Sequence, residues 1–193
     1  MFNSICGLRS SRRAKKSKKV NPVRNGISKG VKLFIGFIYS KEDSYLKARY
    51  LLIKKFGQLD FESQSLPFIH TRYYEQEFGT DLKRKLLSFG ELIRPEKLAR
   101  IKIITNKIER NLAVSGKRRI NIDPGILNLG KVILATTKDY RHRVYLSKGI
   151  YAEVTLYYQN KSFQPWEWTY PDYRTPEYIQ IFNYIRSVYS RQI

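Results

Sequence analysis

Between residues 119 and 158 the chain alternates short strand-like runs with tight turns, and this spacing constrains the fold more than any other stretch. Residues 119–122, 131–136, 142–146 and 150–158 read as strands, rich in β-branched and aromatic side chains. Ser147-Lys148-Gly149 is too short for a crossover, so the strands it joins must run antiparallel, and Asn160-Lys161 turns the chain into an aromatic stretch that begins at Phe163. The clearest strand is 150–158. Strict alternation puts Tyr151, Glu153, Thr155 and Tyr157 on one face and Ile150, Ala152, Val154 and Leu156 on the other. Asp123-Pro124-Gly125 reads as a turn, with glycine where the backbone favours positive φ.

Upstream, residues 31–39 form a nearly continuous apolar run, as expected of a strand buried on both faces. Ser40-Lys41-Glu42-Asp43 has the form of a capping box, opening a helix that reaches Phe56 and stops at Gly57. Tyr45, Ala48, Leu52 and Phe56 give it an inner face. Residues 60–65 read as a strand, 70–77 as loop or edge, and 86–93 as either strand or short helix. Pro95 opens a second helix, whose buried stripe is Leu98, Ile101, Ile104, Ile108 and Leu112. Asn106 and Glu109 share a face beside that stripe and read as solvated. Thr175-Pro176 caps a last helix with Tyr178, Ile181, Phe182, Ile185 and Tyr189 inward. The order predicts an α+β fold. About three helices pack on one face of a mixed or mostly antiparallel sheet, with a ferredoxin-like start as one arrangement.

Charge bounds the partners. The 193 residues hold 37 Lys and Arg against 16 Asp and Glu, a formal charge of +21. Residues 1–30 contain nine basic residues and no acidic one, and read as a disordered basic tail. A nucleic-acid arm and an inert solvated tail both fit it. Residues 31–193 read as one domain and keep a net +12, so the body is basic in its own right. Such a surface favours polyanions, nucleic acid before anionic membrane. The single cysteine, Cys6, excludes an internal disulfide framework and a Cys-rich zinc site, and fits a cytoplasmic protein. No apolar run approaches the ~20 residues of a membrane span. No N-terminal apolar core suggests a secretory signal.

The chemistry-bearing residues gather in the strand-rich region. There is no P-loop, no G-x-G-x-x-G and no G-x-S-x-G. Two histidines exclude a His-rich metal site, and no metal ligand set stands out. Glu153, in mid-strand, needs a partner if buried. Lys131, Lys138, His142, Arg143 and Lys148 lie within two neighbouring hairpins as candidate partners and as an anion site. His142 is the candidate acid or base. Asn121 and Asp123, two apart, can face one pocket and orient a ligand. In the aromatic segment 166–174, packing onto the sheet is the simpler role, with Tyr173-Arg174 the exposed pair able to touch a ligand.

Asn-Ile-Asp-Pro-Gly (121–125), Lys-Val-Ile-Leu-Ala-Thr-Thr-Lys (131–138), His-Arg-Val-Tyr-Leu (142–146), Lys-Gly-Ile-Tyr-Ala-Glu-Val-Thr-Leu (148–156) and Trp-Thr-Tyr-Pro-Asp-Tyr-Arg (168–174) resemble the signature run of a small prokaryotic family, domain of unknown function 4416. The resemblance spans residues 31–189. It carries no established catalytic residue and leaves any cofactor unknown. Some members bear a loose GTP-binding label, which implies a nucleotide held without a P-loop. The leading expectation is therefore a phosphate-bearing small molecule, such as a nucleotide or phosphorylated metabolite, in a basic pocket around residues 121–153. The alternatives are an RNA- or DNA-binding module and a scaffold or interaction protein.

Overall fold

A computed structural model describes residues 30–69 and 74–193; the basic tail and the start of the 70–77 loop lie outside the described residues. Strand β1 (Val31–Tyr39) is buried along its whole length. It lies between β4 (Lys83–Ile93) and β5 (Ile120–Leu127), both antiparallel to it. Helix α1 (Glu42–Phe56) leads from β1 to β2 (Leu59–Glu62), on the far side of β4. Helix α3 (Leu98–Asn111) leads from β4 to β5, on the far side of β1. Each helix thus joins two parallel strands with an antiparallel one between them. This split β-α-β unit made twice is the ferredoxin-like arrangement.

The sheet continues past β5 through β6 (Lys131–Thr136) and β8 (Ile150–Gln159) to β7 (Arg143–Ser147), in the order β2-β4-β1-β5-β6-β8-β7. The short β3 (Leu66–Pro67) pairs with β4, and β9 (Ser162–Pro165) with β8. Residues 86–93, open between strand and helix in the sequence, belong to the long β4. A four-residue α2 (Glu75–Phe78) precedes it. Two-residue turns with positive φ at Lys148 and Gly149, and at Asn160 and Lys161, close the last hairpins.

Alternation along β1 divides the core. Leu33, Ile35, Phe37 and Tyr39 meet Tyr45, Ala48 and Leu52 of α1 and Ile101 and Ile108 of α3. Phe34, on the opposite face, meets Tyr178, Phe182, Ile185 and Tyr189 of α4 (Pro176–Ser190). The helices therefore cover both faces, not one. An apolar run such as 31–39 requires this, because a strand without a polar face needs cover on each side. Lys32 is the exception in that run. It is fully buried, and its ammonium donates to Phe89 O (3.0 Å) and to Asp60 of β2.

Two local expectations are overturned. Ser40 does not cap α1: its hydroxyl donates to Phe78 O (2.6 Å), and the cap position falls on Lys41, whose side chain makes no cap bond. The β8 alternation is broken between Glu153 and Leu156, where β6 shifts register. The extra residue, Thr155, turns Leu156 onto the face of Leu134 and Phe34, so Glu153 shares its side of the sheet with core residues. The last helix starts as expected, with Thr175 Oγ1 accepting from Tyr178 N.

Candidate functional site

Asp123-Pro124-Gly125 is not a turn but the middle of β5. β5 pairs with β1 from Ile120 to Leu127, yet with β6 only over residues 125–127 against 132–134. In an extended strand, main-chain groups of successive residues point to opposite neighbours, so Ile122 and Pro124 point toward the β6 side. Pro124 has no N–H to offer there, and the ladder stops. The Ile122 groups are met by side chains of α3. Its N–H donates to Glu109 Oε1 (2.7 Å), and its carbonyl accepts from Lys102 Nζ (3.0 Å). Both side chains are nearly fully buried, and in effect α3 replaces the missing strand.

Where β5 and β6 part, they flank a cavity of about 720 Å³. Asn121 and Asp123 line one side; Thr136, Thr137 and Lys138 line the other. Asn106 and Glu109 of α3 close one end. Arg84 of β4 and Asp172 and Tyr173, from the 3-10 turn at Pro171–Arg174, close another. The face carrying Asn106 and Glu109, expected to be solvated, is therefore turned to the cavity.

Charges in the wall are matched and held. Asp123 accepts from Lys102 Nζ (3.2 Å) and from Asn121 Nδ2 (2.6 Å). Arg84, 3% exposed, lies 3.5 Å from Asp172 and 4.0 Å from Asp123, and donates to Tyr173 Oη (2.9 Å). Arg118 grips Glu77 with two 2.6 Å bonds and reaches Glu109 (3.0 Å) and Asn121 (3.3 Å). Glu153 is 2% exposed, and its Oε2 accepts from Arg143 Nε (2.9 Å) and lies 3.1 Å from His142 Nε2. Arg143 is itself tied to Lys138 O (3.0 Å) and Tyr170 Oη (2.8 Å).

Segment 166–170 fills the outer edge of β8 between β7 and β9. Trp168 Nε1 donates to Val154 O (3.0 Å), and Thr169 Oγ1 donates to Thr155 O (2.6 Å). Trp168 and Thr169 satisfy main-chain carbonyls at the bulge, which is a packing role. Trp168 also stacks on His142 at 5.3 Å.

Of the residues singled out in the sequence, Asn121, Asp123, Lys138, Glu153 and Tyr173 line the cavity, and His142 and Arg143 stand against Glu153. Lys131 and Lys148 are exposed away from it, at the far end of β6 and in the β7–β8 turn. Tyr173 is buried rather than exposed. Arg174 is exposed but donates to Thr169 O and Glu167 O, bracing its own loop. Sequence reasoning missed Arg84, Lys102, Arg118 and Asp172. A lysine and a glutamate seven apart beside an apolar stripe were the visible signal for Lys102 and Glu109. Nothing local marks Arg84 or Asp172.

Burial pushes the Glu109 carboxyl above the ordinary glutamate value, against the pull of Lys102 and the Ile122 N–H. The folded chain then holds this proton at pH values where the unfolded chain, near 4.3, has released it. Stability from this group is present at low pH and is lost as pH rises through the folded value. Urea melts of the protein and of Glu109→Gln between pH 4.5 and 7.5 should show the wild type losing stability relative to the variant as pH rises. Parallel curves would refute this.

A family model described as Domain of unknown function (DUF4416) matches residues 29–189. No curated protein and no solved structure matches the chain. Among the described residues no helix is long and apolar enough to cross a membrane.

Proposed function

This chain belongs to the DUF4416 family, and we propose that it binds a phosphate-bearing small molecule, best a nucleotide, in the cavity between β5 and β6. The observation that carries this reading is the cavity itself. About 720 Å³ is the size of a small-ligand site. Its wall is preorganised: Lys102, Arg84, Arg118, Asp123 and Glu153 are each fixed by partners before any ligand arrives. Cations and carboxylates occur together, so the wall offers donors to phosphate oxygens and acceptors to hydroxyl or amino groups. A nucleotide presents both. The exposed Arg110, at the end of α3, stands at the cavity with Lys138 opposite. Phe68, Tyr74 and Tyr170 add ring surface for a base. The net positive charge of the body favours the approach of anions.

Thermal unfolding of the full chain with nucleotides and phosphorylated metabolites, at low and moderate salt, tests the reading. A ligand at a hundred times its Kd adds about 2.7 kcal/mol. For a domain of this size that raises Tm by roughly 5–10 °C. No shift with any compound rejects the reading. A shift with RNA alone, vanishing as salt rises, assigns the charge to nucleic acid instead.

A further inference from the structure

Resting on that binding reading, we propose that Glu153 selects the ligand: its Oε1 accepts a hydrogen bond from a hydroxyl or amino group of a phosphate-bearing compound. Bare phosphate or pyrophosphate then leaves the site incomplete.

Glu153 lines the cavity and is 2% exposed, yet its Oε1 has no hydrogen-bond partner. The other oxygen is held on two sides. Arg143 donates from Nε at 2.9 Å, and His142 Nε2 stands at 3.1 Å. Both supports are themselves fixed. The Arg143 fork is spread between Lys138 O and Tyr170 Oη. The His142 ring is stacked on Trp168, whose indole N–H is tied to Val154 O. The carboxylate is therefore oriented by one oxygen and left buried and unpaired at the other. Buried carboxylate oxygens are ordinarily paired, because the desolvation they suffer is otherwise uncompensated. A held acceptor of this kind in a cavity wall fits a ligand donor.

A metal ion is a poor fit for the same atom. The carboxylate is already paired with the Arg143 guanidinium through its other oxygen, and among the described residues no three His, Cys, Asp or Glu side chains come together as ligands. A phosphate oxygen is excluded by charge. What remains is a neutral donor, either a sugar hydroxyl or a base amine, on a ligand whose phosphate is met elsewhere in the wall.

Glu153→Gln tests this with little change of shape. The glutamine keeps an oxygen for Arg143 and His142 and turns the unpaired acceptor into an N–H donor. Calorimetric titration of the full chain would use the four ribonucleoside monophosphates, their 2′-deoxy forms, ribose 5-phosphate and pyrophosphate. The wild type is expected to bind at least one nucleotide or ribose 5-phosphate more tightly than pyrophosphate. Glu153→Gln should weaken that ligand roughly 10- to 100-fold. Pyrophosphate should hold or gain affinity, since a negative charge has been removed. If the 2′-deoxy form loses as much on the wild type, the donor is the ribose hydroxyl; if changing the base does, it is a base amine. Should Glu153→Gln lack a cooperative melt, Glu153→Asp decides, with weaker binding but the same preference over pyrophosphate. Equal loss for nucleotide and pyrophosphate, or no loss, overturns the assignment while leaving the binding reading intact. Tightest binding to pyrophosphate does the same. A wild type that binds none of the probes overturns both.

Discussion

Replacing Gly125 by alanine is expected to lower stability by roughly 3 kcal/mol, the upper end for an overpacked core. In a domain of this size the loss lowers Tm by about 6–12 °C. A Cβ at Gly125 would lie 2.2 Å from Phe34 Cζ, 2.5 Å from Phe34 Cε1 and 2.6 Å from Ile133 O. The Phe34 ring of β1 therefore rests directly on the glycine opposite it in β5. It cannot swing away, because its outer edge packs against Phe182 of α4 at 5.1 Å. The contact with Ile133 O adds a backbone obstacle in the short β5–β6 ladder. Phe34→Leu in the same chain should restore part of the loss, since the two changes act on one contact. It should not restore all of it, because the carbonyl remains. Urea unfolding of the two single variants and the double variant measures the cycle. Strictly additive losses would show that the ring and the glycine do not depend on each other.

Arg84→Met is expected to cost roughly 3–5 kcal/mol, the range for a buried ion pair stripped of one member. The guanidinium is nearly fully buried in the cavity wall, with Asp172 at 3.5 Å, Tyr173 Oη at 2.9 Å and the rings of Tyr173 and Phe68 at 5.2 and 5.8 Å. Methionine fills similar length without charge and leaves the buried Asp172 carboxylate without its cation. Arg84→Met combined with Asp172→Asn should recover a measurable part, because the neutral amide no longer needs a counter-charge. A loss below about 1 kcal/mol for the single variant, the range of exposed pairs, would contradict a buried role. Tyr178 Oη is also buried without a partner beside this group. Packing there holds a polar cluster against apolar surroundings.

The elements were legible where pattern and packing agree. The apolar run 31–39 and the stripe on α3 gave strand and helix, because burial on both faces and on one stripe leaves different periods, while the alternation of 150–158 gave the strand but not its faces, which the Thr155 bulge reassigns. What failed were places where a tertiary partner outweighs local chemistry. Pro124-Gly125 carries a turn signature, but the proline sits where β5 needs no donor and the glycine where Phe34 needs room. Ser40 has the capping residue type but spends its hydroxyl on Phe78 O, 38 residues away. The positions around 121–153 were visible as polar residues out of place in strands. Their cavity was not, because it needs Lys102 and Glu109 from α3, Arg84 from β4 and Asp172 from a turn near the C-terminus, and no spacing in sequence links these to β5.

Mechanically, the sheet is two leaves sharing a short hinge. One leaf is β2-β4-β1-β5, the other β6-β8-β7, and three residue pairs join them. Helix α3 is the latch across the open part. It grips the first leaf through the main chain of Ile122. It leans on the second through Leu98 and Ala99, which pack with Ala135 and Ile150. The side of the cavity formed by β5 is therefore held by a few side chains on one helix rather than by a strand ladder.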